Sequence, residues 1–430
     1  MALSRSQRWC LAVFLVPKVI SSFLPITRIC TTHHHCHTNH PLQAPSTRIL
    51  VSAETASDDV LYADQNRTTI TTSTSTSTSA STLSLLEHVN FNVPNHDCIL
   101  DFYLDLLGCG LDPRVAVNLM EDNDKRFGRE GLIWVSCGPH QFHFPRDTTA
   151  QGQVLSGHIG LRYKSLEGLK KRLMTATATK NKNKNKKQCF VSYDIVVGPE
   201  GETIHIQDCY GNVFHCREGP ELCTQYRQSV LKRCDQDIFG DVALRYGIQN
   251  EGESECRGID HVELNCPMGT AEQIALFYES IFDATTMVVR EENNDNNSNN
   301  SVAAYISIGE FEVTTGRASQ YLIFRETPSP LPAYDGHHIA LYIGTAPHDT
   351  KNFERAFHKA QNAGLLSTNW RDKADVLTLE AARSQHQFRI ETILDRDTGQ
   401  PIFQLEHEIR SVEHSTWPGR AKKEESTIAS

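Results

Sequence analysis

The chain has 430 residues, 39% of them hydrophobic, and a formal net charge of −10. That length suits two domains, each able to bury a core, and the acidic balance gives no basic footprint for nucleic acid. The thirteen cysteines are scattered singly with no C-x-x-C pair, which excludes zinc-ribbon spacing and a small disulfide scaffold. Most should be free thiols in a reducing or mildly reducing compartment, and Cys98, Cys109 and Cys137 read as small core or near-core hydrophobes rather than ligands.

Residues 1–82 stand apart. No acid occurs before Glu54, while Arg5, Arg8, Lys18, Arg28 and Arg48 flank the apolar run "WCLAVFLVPKVISSFLPI". This is the composition of a targeting presequence, and Pro17 and Lys18 interrupt the run too early for a membrane anchor. The piece "SSFLP" resembles the bipartite leaders of algae with complex plastids, so a plastid is expected, with a mitochondrion or secretion as alternatives. "HHHCHTNH" (33–40) could bind a metal ion but reads as composition within a segment expected to be removed, and "RTTITTSTSTSTSAST" (67–82) as a low-complexity spacer with nothing to bury. No later run is long and apolar enough to span a bilayer, so no membrane partner is expected.

Four segments then repeat: "EHVNFNVP" (87–94), "GHIGLRY" (157–163), "DHVELNCP" (260–267) and "HHIALYI" (337–343). Each places a histidine at the head of a strand and is followed by a segment of helical period. The first helix should follow Asp97 as its cap, the second Ser165, and the third a capping box of Thr270 and Gln273. The fourth should end at Gly364. Strand-like runs follow each helix, among them "HQFHFP", "NVFHCRE", "QYLIFRE", "DVLTLE" and "IFQLEHE". The fold class is therefore α+β, built from four βαβββ units. Residues 83–218 would form one domain and 258–412 another, joined by a connector (219–257, with a helix over 222–234) and followed by a tail (413–430). "KNKNKNKK" (180–187) and "EENNDNNSNN" (291–300) read as surface loops.

Paired βαβββ units with histidines at these strand positions resemble the vicinal oxygen chelate superfamily, which includes glyoxalase I, extradiol dioxygenases and bleomycin-resistance proteins. The phrases carrying the likeness are "HVNFNVP…ILDFYLDLLG", "SGHIGLRY", "DCYGNVFHCRE", "DHVELNCP…IALFYESIFDA", "GHHIALYI" and "DTGQPIFQLEHE". The resemblance implies two half-barrel domains, each with a cup that can hold a divalent metal (iron(II), zinc or nickel) on the first and last strands of its units. Carried over, it implies His88, His143, His158 and His215 as ligands in the first domain. Alternation puts Asn90, Gln141, Arg162 and Arg217 on the same face, as candidates for binding substrate. The second cup would hold His261, His338 and Gln404, with Ile323 at an apolar position. Glu406 would either complete a set with His261 and His338 or pair with Arg325.

His143 and His215 stand where glyoxalase I has carboxylates, so its proton-transfer chemistry lacks an evident base in the first half. Two functions stay open. One is a metal-dependent dioxygenase, isomerase or lyase acting on a small substrate chelated through vicinal oxygens. The other is a metal-free binding protein of the bleomycin-resistance type. The superfamily pairs its domains both within a chain and across a homodimer, which leaves that choice open too.

Overall fold

A computed structural model describes residues 67–72, 81–112, 131–147, 151–182, 190–198, 201–220, 222, 254–293, 301–312, 316–344, 349–367 and 376–417. The leader, the histidine cluster at 33–40, the helix expected over 222–234 (apart from Leu222) and most of both polar tracts lie outside them. Among the described residues no helix is long and apolar enough to cross a membrane.

After strand β1 (Arg67–Thr72), unit 1 comprises β2 (Leu83–Asn90), helix α1, β3 (Gly110–Leu111), β4 (Leu132–Cys137) and β5 (His140–Pro145). Helix α1 begins as Asp97–Ile99 and continues as a π-helical stretch, Leu100–Leu106. Unit 2 comprises β6 (Gly157–Tyr163), α2 (Glu167–Lys182), β7 (Phe190–Gly198), β8 (Gly201–Asp208) and β9 (Val213–Glu218). Unit 3 comprises β10 (Cys256–Pro267), α3 (Ala271–Phe282), β11 (Thr286–Asn293), β12 (Ser301–Phe311) and β13 (Ala318–Thr327). Unit 4 comprises β14 (His338–Ile343), α4 (Lys351–Asn362), α5 (Leu379–Gln385), β15 (Gln387–Leu394) and β16 (Pro401–Ser411).

The α+β class and the repeating unit are as the sequence implies, but the pairing of units is not. One sheet runs β15-β16-β14-β2-β5-β4-β3 and so joins units 1 and 4. The other runs β1-β11-β12-β13-β10-β6-β9-β8-β7 and joins units 2 and 3. In each sheet the first strands of two units meet antiparallel, β2 against β14 and β6 against β10. Consecutive pairing, which would put His88, His143, His158 and His215 in one cup, does not occur. The alternating strands look alike whichever partner they take, so the hydrophobic pattern cannot choose between the two arrangements.

Smaller departures have local causes. "DVLTLE" contributes no strand: Thr378 caps α5 by accepting from the Ala381 N–H (3.2 Å), and the alanines that follow favour helix. A single bridge, Leu366 to Ile390, stands where the missing strand would pair. Thr270 bonds the Pro267 carbonyl (2.7 Å) and makes no cap on α3, so the capping box is not formed. Residues 67–72 of the spacer form an antiparallel strand on β11. Cys98 is joined to Cys209 in a disulfide that ties unit 1 to unit 2, so it is not a free core thiol.

The two sheets share one apolar core. Tyr278 of α3 packs on Phe324 of one sheet and hydrogen-bonds His407 Nε2 of the other. Gln320, fully buried, accepts from the Leu86 N–H (3.0 Å) and donates to the carbonyls of Leu86 (3.2 Å) and Ile259 (2.8 Å). Its amide thus serves backbone groups of both first strands, beside the irregularities in their ladders.

Three buried histidines belong to this framework. His96 bonds the Phe144 carbonyl (2.9 Å), His140 Nδ1 accepts from the Ile259 N–H (3.0 Å), and His407 meets Tyr278. Burial holds all three down, to about 4, about 3 and about 4 against an ordinary 6.5. The unfolded chain therefore takes up protons first as pH falls. Their contribution is intact above 6.5 and is lost on acidification toward the folded values. Each should cost about 1.4 kcal/mol per pH unit across that window, so urea midpoints should drop steeply between about pH 6.5 and pH 4.

Candidate metal centre

In the unit 1–unit 4 sheet, His88 (β2), His143 (β5), His338 (β14) and Glu408 (β16) gather on the concave face. The ladder to β14 carries one extra residue on β2, Glu87, between the pairs Leu86–Leu341 and His88–Ala340. Such a bulge brings neighbouring side chains toward one face, and the Glu87 carboxylate reaches His88 Nδ1 at 3.2 Å. An ionised carboxylate only accepts, so Nδ1 carries the proton and Nε2 keeps its lone pair. That Nε2 is buried and has no hydrogen-bond partner. It faces Glu408 Oε2 at 4.0 Å, while His338 Nε2 lies 3.5 Å from the same oxygen. One donor atom from each of His88, His338 and Glu408 fits within 4.8 Å of the others.

Arginines fix the carboxylates. Arg389 bonds Glu406 and Glu408 (2.7 Å to Glu408), and Arg410 reaches Glu408 through Nε (2.7 Å) and Nη2 (2.6 Å) while pairing with Glu87. Burial resists charge on Glu408, but Arg410 and Arg389 hold its carboxyl well below the usual range. Burial pushes His88, His143 and His338 down, so all three sit as neutral imidazoles. Neutral imidazoles and an ionised carboxylate are the donor forms a divalent ion requires.

His143 joins the group by stacking, between Trp134 (centroids 4.4 Å apart) and His88 (3.7 Å). Its Nε2 meets Gln141 Oε1 at 2.9 Å, and the Gln141 amide nitrogen is fixed on the buried Asp112. With that amide orientation Nε2–H donates and Nδ1 keeps a lone pair. Asn90, the last residue of β2, donates to Asn92 just beyond the strand (3.3 Å).

The second cup, in the unit 2–unit 3 sheet, repeats the plan with a different outcome. Asp260 is an extra residue of β10 and its carboxylate lies 3.2 Å from His261 Nδ1. Here, however, His261 Nε2 meets His158 Nε2 at 3.0 Å, so the two imidazoles satisfy each other. Gly160 makes room for this, since a Cβ there would lie 2.3 Å from the His261 ring. His215 stacks on His158 and on His205, both at 3.7 Å. Burial presses His158 and His215 to about 2. Glu263 is held by Arg325 in a two-pronged pair (2.9 and 3.1 Å).

The residues named from sequence are therefore redistributed. His88, His143 and His338 come together, and so do His158, His215 and His261. Arg162 and Arg217 both bind Asp260, where they neutralise a buried acid. Gln404 is exposed and lies outside the β14–β16 ladder, which begins at His338–Glu406. Glu406 pairs with Arg389, and Arg325 lies in the other sheet, so neither the Arg325–Glu406 pair nor the His261–His338–Glu406 set forms. The parallel ladders show why. Ala340–Glu408 in unit 4 aligns with Gly160–His215 in unit 2, each pair starting two residues past the first-strand histidine, which makes Glu408 the counterpart of His215. Glu87, Asp260, Glu408, Arg389 and Arg410 went unassigned. The doublets Glu87–His88 and Asp260–His261 were the available signal for the first two.

Four repeat units, paired into two sheets, give the α+β architecture that the resemblance to the vicinal oxygen chelate superfamily implies. No family model matches the sequence and no curated protein matches it significantly. Solved structures do. A Bacillus subtilis protein provisionally assigned as a dioxygenase is 12% identical, with 79% of this chain and 88% of that one covered and a TM-score of 0.42. Lactoylglutathione lyase from Agrobacterium tumefaciens is 17% identical over 32% of this chain and 94% of its own, with a TM-score of 0.22. The bleomycin-binding protein of Streptomyces verticillus is 16% identical over 32% and 97%, with a TM-score of 0.20. At these identities none of them bears on chemistry.

Replacing Arg410 with Met strips Glu87 of its arginine in a buried site and leaves Glu408 with Arg389 alone. The loss should be about 3–5 kcal/mol near neutral pH. Relative to wild type it should shrink as acid protonates these carboxyls, which urea unfolding across pH would show.

Proposed function

We propose that the unit 1–unit 4 cup is a divalent metal centre, and that the protein is a metal-dependent enzyme acting on a small substrate that presents two neighbouring oxygens. The unpartnered, buried Nε2 of His88, aimed at His338 and Glu408, carries this reading. Two imidazoles and one carboxylate are the donor set of non-haem iron(II) oxygenases, so dioxygenase chemistry is favoured over isomerase or lyase chemistry. The second cup does not fit a metal in the same way, because His261 and His158 already satisfy each other.

When bound, the ion would supply Lewis acidity and a template for a chelating substrate. The chain's own groups do the rest. Glu87 fixes the His88 ring, and the two arginines keep Glu408 ionised. His143, neutral and held by Gln141, offers its Nδ1 lone pair to accept a hydrogen bond from a substrate hydroxyl.

A metal-free binding role has one observation in its favour: Arg389 and Arg410 already neutralise Glu408, which weakens it as a ligand. Metal analysis separates the two readings. The purified full chain should retain about one iron or similar ion, lost in His88→Ala and Glu408→Gln, while Glu87→Gln should weaken binding about 10–100-fold. Oxygen uptake with a catechol should vanish in the same variants. Wild-type protein that holds no metal after reconstitution, with a ligand bound equally well by His88→Ala, would establish the binding role instead.

A further inference from the structure

Outside both cups, three buried thiols converge. Cys109 follows α1, Cys137 ends β4, and Cys256 begins β10, so they come from two units and both sheets. All three are fully buried, their sulfurs lie within 4.8 Å of one another, and Cys109 Sγ is 3.3 Å from Cys137 Sγ. The backbone holds them from two sides. The Glu255 N–H donates to the Gly108 carbonyl (2.8 Å), which sets Cys256 beside Cys109. On the other flank Gly138, at φ 58°, lies so close to Arg257 that a Cβ would be 2.7 Å from its carbonyl oxygen. Cys256 is thus clamped between two fixed neighbours, opposite the cross-strand pair of Cys109 and Cys137.

Small-residue packing alone does not require three sulfurs from three segments to share one point. Sulfur atoms around a common ion at the usual zinc–thiolate bond length of about 2.3 Å stand roughly 3.8–4.0 Å apart, within the observed range. We propose that Cys109, Cys137 and Cys256 form a thiolate site for a soft d10 metal ion. Soft sulfur ligands select copper(I) and zinc. Three converging sulfurs suit copper(I) in particular, because structural zinc sites take four ligands. Binding exchanges thiol protons for the ion with no change of oxidation state.

The test uses the full chain refolded or expressed with copper(I), and separately with zinc or its probe cadmium. One equivalent showing a sulfur-to-metal charge-transfer band is expected. The band should be lost in Cys256→Ser and Cys137→Ser and kept in Cys266→Ser and in His88→Ala, which separates this site from the cup. X-ray absorption on the wild type needs no variant and should find three sulfur neighbours. A shell of nitrogen and oxygen alone, a band indifferent to Cys256, no binding at all, or a Cys109–Cys137 disulfide in the purified protein would each overturn the proposal.

Discussion

One extra residue in each of two strands sets the chemistry of this molecule. Glu87 in β2 and Asp260 in β10 are both inserted into an antiparallel ladder, just before the histidine that heads the cup. In a regular strand, neighbours point to opposite faces, so an acid beside an imidazole in sequence could not touch it. The bulge removes that restriction and brings each carboxylate to 3.2 Å from the neighbouring Nδ1. The ring is then oriented and its tautomer chosen, with Nε2 directed into the cup. Gln320 bonds backbone groups immediately before both bulges, so a single amide supports the irregular part of each ladder.

The two cups then diverge by few substitutions. His215 in one is Glu408 in the other, and His143 in one is Ile323 in the other. Gly160 is replaced by Ala340, which removes the space an imidazole occupies in the second cup. In that cup the lone pair of His261 finds the N–H of His158. In the first, His338 meets Glu408 instead, and the lone pair of His88 finds nothing. The same strand plan thus gives one self-satisfied cluster and one with an unmet buried acceptor, which is costly unless something fills it.

The period-2 alternation and the four histidine-headed strands made the units and the polar face legible. Phe142 and Phe144 are buried opposite His143, as alternation requires. Which units share a sheet was not legible, because register and strand pairing over hundreds of residues leave no mark in a local pattern. Glu408 was missed for a related reason. Counting from the family's spacing led to Gln404 and Glu406, whereas the parallel ladder to β14 places the carboxylate two residues further along. The bulges were hidden as well, since an inserted residue looks like any other until its partner strand is known.

Pairing the first unit with the last has a consequence for how the site is held. His88 and His143 lie near one end of the described chain, and His338 and Glu408 near the other. No fragment made of units 1 and 2, or of units 3 and 4, contains a complete set of donors. Units 2 and 3 must therefore fold between them and bring β14 to β2, and the contacts that do so cross between sheets: Gln320, the Tyr278–His407 pair and the Cys98–Cys209 link. The nearest polar contacts of the cup follow the same logic, because Arg410 on the last strand binds Glu87 on the first. The ion pair that sustains the Glu87–His88 arrangement exists only once the chain has closed on itself, so formation of the candidate centre is tied to completion of the whole fold.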